Sequence, residues 1–290
     1  MALPTIRKLV ILGTGLIGGS FALDLRRAGQ VQHVVGVGRQ LENLDRAKQL
    51  GVVDSISQNA AEAVVDADVV LLACPVGQMP LVMQSIASTL PKHCLVTDAG
   101  STKQDVVSFF RTYLPNHLGN CVPAHPIAGA ELSGAAAARY GLYLGKNVIL
   151  TPLPETSALS VQMIGDLWKS CGAQLISMQA AEHDSIFASV SHLPHLLAFA
   201  YMNHVLDRSD SARALSLAGS GFRDFSRIAA SHPDMWRDIA LSNRDALLAE
   251  LKGFSQQVEK LITQLEGGDV ASLHEYFMRS SVARNQWGKH

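Results

Sequence analysis

Four cysteines are all that the 290-residue chain contains, Cys74, Cys94, Cys121 and Cys171, and no two of them form a C-x-x-C pair. Each lies in an apolar stretch, so the chain reads as one whose thiols stay reduced and buried, as in the cytoplasm, rather than as a disulfide framework or a thiolate metal site. Charge of one sign is also lacking. Lys plus Arg is 24 against Asp plus Glu 25, a formal net charge of −1, which leaves no basic field for phosphate backbones and argues against nucleic acid as a partner. No apolar run is long enough to span a bilayer: the longest charge-free stretch, 69–91, is interrupted by Pro75, Gly77, Gln78, Pro80 and Gln84, so no membrane association is expected. The opening segment MALPTIRKLVILGTG reaches glycine after a short apolar run, which suits a strand and not a signal peptide. With 48% hydrophobic and 17% charged residues the composition is globular, and the length suits one large domain or two ordinary ones.

From Leu9 to about Met178, short β-branched runs alternate with segments of helical period. Strands are predicted at 8–12, 33–37, 67–73, 94–98, 121–125, 147–151 and 173–178, with helices near 16–29, 41–50, 79–90, 102–113 and 156–170. Near-continuous apolar strands separated by helices describe a parallel sheet covered on both faces, so the expected fold class is α/β, a Rossmann-type doubly wound, mainly parallel sheet domain. From Ala180 to Arg284 only helical patterns remain, with breaks at Pro194, Gly219 to Gly221, Pro233 and Gly267-Gly268. The chain is therefore expected to divide into an α/β domain over 1–178 and an all-helical domain over 179–290, with a cleft between them.

The first predicted strand runs directly into Gly13-Thr14-Gly15-Leu16-Ile17-Gly18 and then into a helical segment. In that context Gly13 permits the tight turn, Gly15 lets the backbone approach a pyrophosphate and Gly18 lets helix and strand pack closely, which is the dinucleotide-binding pattern. The second strand ends in Val37-Gly38-Arg39-Gln40, with no carboxylate before Glu42 to take a ribose 2′-hydroxyl. Arg39 is well placed for a 2′-phosphate, so NADP is the favoured cofactor and NAD remains possible. The expected coenzyme contacts are Gly13, Gly15, Leu16, Ile17, Gly18, Gly38, Arg39, Cys74, Pro75 and Ser101.

Three further segments set unusual residues at or beyond strand ends: TDAGSTK (97–103), PAHPIAG (123–129) and SHLPH (191–195). Ligands of doubly wound sheets bind outside the carboxyl ends of the strands, where Ser101 and His125 both fall. A serine hydroxyl within reach of an imidazole fixes its tautomer and leaves the other nitrogen to accept a proton, so Ser101 and His125 are the expected catalytic residues. Ser101 also suits an N-cap of the helix beginning near Thr102. His192 and His195 lack an accompanying carboxylate or cysteine, and Pro194 interrupts the helix between them, so no metal is expected. His195 is expected to face substrate, while His183, His204, His232 and His274 are expected at the surface or at an interface.

Six segments in order then carry a family resemblance: GTGLIGGS (13–20), TDAGSTK (97–103), AHPIAGAELSG (124–134), SHLPH (191–195), GSGFRDFSRIAASHPDMWRDI (219–239) and SVARNQW (281–287). Over nearly its whole length the chain resembles the prephenate and arogenate dehydrogenases, the cyclohexadienyl dehydrogenases of tyrosine biosynthesis. The resemblance implies NAD(P)-dependent oxidative decarboxylation of arogenate, prephenate or both, with a slight lean to arogenate. Hydride passes from the ring C–OH carbon to nicotinamide while His125 accepts the hydroxyl proton beside Ser101. Arg227 would hold a substrate carboxylate, with His195 and Trp236 lining the same pocket. A homodimer through the helical domain is implied, as is a monofunctional cytoplasmic enzyme, since no mutase-like segment precedes Leu9 and no regulatory extension follows. Other readings of the same residues are a β-hydroxyacid dehydrogenase, a pyrroline-carboxylate-type reductase, or a non-catalytic NADP-sensing protein.

Overall fold

The computed structural model describes residues 5–129 and 134–287. They divide into two compact units, Met1–Asn243 and Arg244–His290. The boundary expected at 178/179 falls inside the first unit.

That unit begins with β1 (Ile6–Leu12), α1 (Leu16–Arg27), β2 (Val31–Val37), α2 (Leu41–Gln49), β3 (Ser55–Ser57), α3 (Ala60–Ala63), β4 (Val69–Leu72), α4 (Met79–Ile86), β5 (Leu95–Asp98), α5 (Gln104–Tyr113) and β6 (Cys121–Val122). The six strands form one sheet in the order β3-β2-β1-β4-β5-β6, parallel throughout. Alternation along β1 shows why these runs are apolar at every position: Leu9 and Ile11 enter one core cluster while Val10 and Leu12 enter the other, so both faces of the strand are buried. The order reverses between β1 and β4, and the ends of those two strands flank the crevice where such sheets take ligands.

The run CVPAH, read as one strand, is two. After β6 the chain turns at Pro123, and β7 (Ala124–Pro126) leaves the main sheet for a second one, where it pairs antiparallel with β8 (Asn147–Leu150) and opposes His125 to Ile149. A proline has no N–H to continue a ladder, which is why the strand stops there. After α6 (Ala158–Ser170), β9 (Gln174–Ser177) completes this sheet in parallel with β8. The short β3 was not anticipated, because three residues of Ser-Ile-Ser carry no pattern. Part of the third resemblance segment, Ala130 to Ser133 of AHPIAGAELSG, lies outside the described residues.

Helices α7 (Ala180–Phe187), α8 (Leu193–Leu206), α9 (Ser211–Ser216), α10 (Ser220–Ser226) and α11 (Pro233–Ser242) finish the first unit. Pro194 does not end a helix as expected. A π-helical turn over Ala188–His192 leads directly into α8, with Pro194 in its first turn, where a missing N–H costs nothing. The second unit is α12 (Arg244–Gly267) and α13 (Val270–Trp287), joined through Gly268 at φ +62° and with Asp269 accepting from the N–H groups of Ala271 and Ser272 to cap α13. No helix among the described residues is long and apolar enough to cross a membrane.

Candidate active site

The glycine loop lies between β1 and α1, and its three glycines do different work. Gly13 has φ +114°, and a Cβ there would meet the Ala73 carbonyl oxygen at 2.5 Å, so the turn closes against the end of β4. At Gly18 a Cβ would meet the Gly13 oxygen at 2.4 Å and Ile11 Cγ2 at 2.6 Å, which sets the contact of helix and strand. At Gly15 nothing lies within 4 Å, and no side chain caps α1 there. An uncapped helix N-terminus above open space offers N–H groups and a favourable dipole to an anion, so these residues fit a dinucleotide pyrophosphate. Leu16 and Ile17 open the same helix, and Cys74 and Pro75 follow β4 across the switch point. Burial pushes the Cys74 thiol up to about 12. All four cysteines are free thiols. Gly38 bonds the end of β3 through its N–H to Ser57 O at 3.4 Å, and Gln58 Nε2 donates to Arg39 O at 2.7 Å, fixing the backbone that presents the exposed guanidinium.

Beyond β5 lies a buried ion pair. Asp98 and Lys103 are both fully buried and bonded to each other; Asp98 also accepts from Gly100 N at 2.7 Å and Ala124 N at 3.0 Å, and Lys103 Nζ donates to Ala124 O at 2.8 Å. One carboxylate and one ammonium thus tie the loop carrying Ser101 to the strand carrying His125.

The partner of His125 is not the expected one. Its Nδ1 lies 2.8 Å from His183 Nε2, and Ser101 makes no hydrogen bond to it; His183 Nδ1 lies 2.8 Å from Asp184 Oδ1. His183, expected at the surface or at an interface, is fully buried within the unit, and the Phe187 ring packs on both imidazoles, with centroids 5.0 Å from His125 and 4.4 Å from His183. Nor does Ser101 cap the next helix. That helix starts at Gln104, and Asp184 caps it from α7, accepting from Lys103 N and Gln104 N at 2.8 Å each. Burial, joined by the charges of His183, Lys103 and His192, pulls His125 well below its ordinary 6.5, so the ring is neutral.

His192 is the second residue the sequence reading left out of the site. It is buried, and Asn243 Nδ2 reaches both the Asp184 carbonyl at 2.8 Å and His192 Nδ1 at 3.1 Å. A carbonyl only accepts, so the amide donates to both, and the His192 proton resides on Nε2. That Nε2 is buried and makes no hydrogen bond among the described residues. Burial, first among its causes, lowers His192 to about 4 from 6.5. The folded state then binds fewer protons than the unfolded chain between those values, so stability is complete above pH 6.5 and declines as pH falls toward 4. Denaturant titration at about pH 7.5 and about pH 5 is expected to show a loss of about 2 kcal/mol from this ring. Equal stabilities at the two values would mean that the ring is solvated.

His195 and Trp236 stack, with centroids 3.7 Å apart and planes at 21°, and His192 meets the same indole edge-on at 6.1 Å. His195 donates from Nδ1 to Ser191 O at 3.0 Å; burial and the Arg227 charge both lower it. Arg227 opens the 3₁₀ turn after α10 and is exposed. Within the first unit His192 and His195 thus meet at Trp236, while His125 meets His183 and Phe187. His204, His232 and His274 are exposed, as expected.

A family model described as the prephenate dehydrogenase nucleotide-binding domain matches residues 21–177, and one described as the prephenate dehydrogenase dimerization domain matches residues 179–279. The chain is 35% identical over 280 residues to the prephenate dehydrogenase of Bacillus subtilis, covering 96% of this chain and 75% of that protein. It is also 35% identical over 285 residues to the cyclohexadienyl dehydrogenase of Zymomonas mobilis, covering 97% of this chain and 96% of that one. The crystal structure of prephenate dehydrogenase from Aquifex aeolicus in complex with hydroxyphenyl propionate and NAD+ is similar at a TM-score of 0.91 and 32% identity, with 97% of this chain and 98% of that chain covered.

Proposed function

The chain belongs to the prephenate dehydrogenase family and is an oxidoreductase that uses a nicotinamide coenzyme; from that premise we propose that it oxidises and decarboxylates a cyclohexadiene of the prephenate or arogenate type. A bound nicotinamide supplies the hydride acceptor. His125 takes the ring-hydroxyl proton as the C–OH carbon becomes a carbonyl, and when the ring carboxylate leaves as carbon dioxide its electron pair aromatises the ring and the oxygen retakes that proton. The observation that carries this reading is a neutral, half-buried imidazole with its Nδ1 side engaged by protein and its other nitrogen left to a ligand, on the strand that leaves the sheet carrying the glycine loop.

Ser101 lines the coenzyme side of this base. His195 and Trp236 form a flat wall suited to a planar ring. Arg227 holds a substrate carboxylate through a fork that lysine does not reproduce. The division at 178/179 is the boundary between the coenzyme module and the substrate and dimerisation module, in keeping with the junction of the two family matches. A homodimer in the cytoplasm follows, supported by exposed apolar residues on α12 and α13, among them Phe254, Val258, Ile262, Phe277 and Met278.

NADP is the preferred coenzyme, because Arg39 stands where a carboxylate would select NAD. Steady-state assays pairing NADP and NAD with prephenate and arogenate test the whole reading, and turnover of none of the four pairs refutes it. In the same assays Arg39→Ala is expected to raise the KM for NADP about 10-fold or more and to leave that for NAD within about threefold. Equal effects on both coenzymes would remove Arg39 from phosphate recognition.

A further inference from the structure

We propose that His183 and Asp184 are positioning residues for the reaction, a hydrogen-bonded chain that holds His125 with its proton on Nδ1 and its lone pair on Nε2, and that supports the positive charge His125 acquires. This rests on His125 being the base.

The proton assignments follow from the acceptor at the end of the chain. Asp184 receives three N–H groups, from Lys103 N, Gln104 N and His183 Nδ1, all at 2.8 Å. Burial pushes its carboxyl up, but these bonds outweigh it and hold the group ionised below its ordinary range. An ionised carboxylate only accepts, so His183 carries its proton on Nδ1. A neutral His183 must then accept at Nε2, and the hydrogen in the 2.8 Å contact comes from His125 Nδ1. The opposite polarity needs an imidazolium at His183, and burial together with the buried Lys103 ammonium disfavours it, against the pull of Asp184 and Asp98.

The groups facing this chain come from every element around it: Lys103 before α5, Asp98 at the end of β5, His192 in the π-turn and Asp184 on α7. When the substrate O–H bond breaks and the N–H bond forms at His125 Nε2, the new charge is shared through Nδ1–H to His183 and from there to the Asp184 carboxylate. No proton need leave His125 before the product oxygen retakes it. The arrangement parallels an Asp-His pair behind a nucleophile, lengthened by one imidazole.

The sequence separations make a merely local packing role a poor account of this geometry. His125 and His183 are 58 residues apart, and Gln104 and Asp184 are 80 apart, yet each contact is short and directional.

The test uses the full-length enzyme. His183→Phe is expected to lower kcat about 30-fold or more, with coenzyme affinity within about threefold of the wild type. His183→Gln, whose Oε1 can still accept from His125 Nδ1, is expected to fall between the two and to shift the acid limb of kcat/KM to lower pH, because the carboxylate no longer supports the imidazolium. Wild-type kcat and an unmoved acid limb in both variants overturn the proposal. His125→Asn separates the two levels: if it stays active, the reading of His125 as base has failed, whereas if it is inactive beside fully active His183 variants, only the positioning chain has failed. Should the His183 variants not fold, ¹⁵N-histidine spectra of the wild type decide. The resonances lost in His125→Asn are expected to report an Nδ1–H ring, and an Nε2–H ring there overturns the proposal.

Discussion

The His125→Asn enzyme is expected to turn over about 10³-fold more slowly than the wild type while binding coenzyme within about threefold of it, since positioned proton transfer typically contributes 10²–10⁴-fold. Asparagine keeps a polar group of similar reach but has no basic nitrogen to take the hydroxyl proton. The glycine loop, on β1 and α1, does not depend on β7, so coenzyme affinity is the internal control. Steady-state rates with a coenzyme fluorescence titration measure both quantities. In the wild type, activity is expected to fall in acid, with the limb below the ordinary histidine range because burial depresses His125. A variant that retains a tenth of the wild-type kcat would falsify the assignment of the base.

Lys103→Met is expected to cost about 3–5 kcal/mol of stability, the usual result of removing one partner from a buried pair and leaving the other charge unmet. Asp98 is fully buried, and burial pushes its carboxyl up against the pull of Lys103 and of the Gly100 and Ala124 N–H groups. In a unit of this size the change corresponds to a Tm roughly 8–15 °C lower. The double variant Lys103→Met with Asp98→Asn is expected to recover most of that loss, because an amide oxygen still accepts from the backbone and no charge remains. Thermal unfolding of the three proteins measures it, and a single variant within about 1 kcal/mol of the wild type would mean that neither partner is ionised in the fold.

What the sequence made legible tracks how local each interaction is. GTGLIG could be read because turn, pyrophosphate approach and helix packing fall within six consecutive residues, and His125 because a strand end beside a predicted crevice is itself a signal. His183 and Asp184 sit in a helical stretch, AAEHDSIF, with no motif, and their roles exist only through partners 58 and 80 residues away. That adjacent His and Asp on a helix bond to each other and serve one site is shown only by the fold. His192 was within view as half of SHLPH, but a proline two residues on suggested a broken helix, whereas a π-turn carries both rings to Trp236. The division of CVPAH between two sheets had one readable sign, Pro123, which cannot donate to a ladder.

On a ribosome these separations become an order of events. The glycine loop can close against β4 as soon as the first four strands have emerged, whereas Asp184 follows Gln104 by 80 residues, roughly 4–16 s of elongation. A nascent chain thus presents the glycine loop well before Asp184, the residue proposed to fix the His125 proton, has been made.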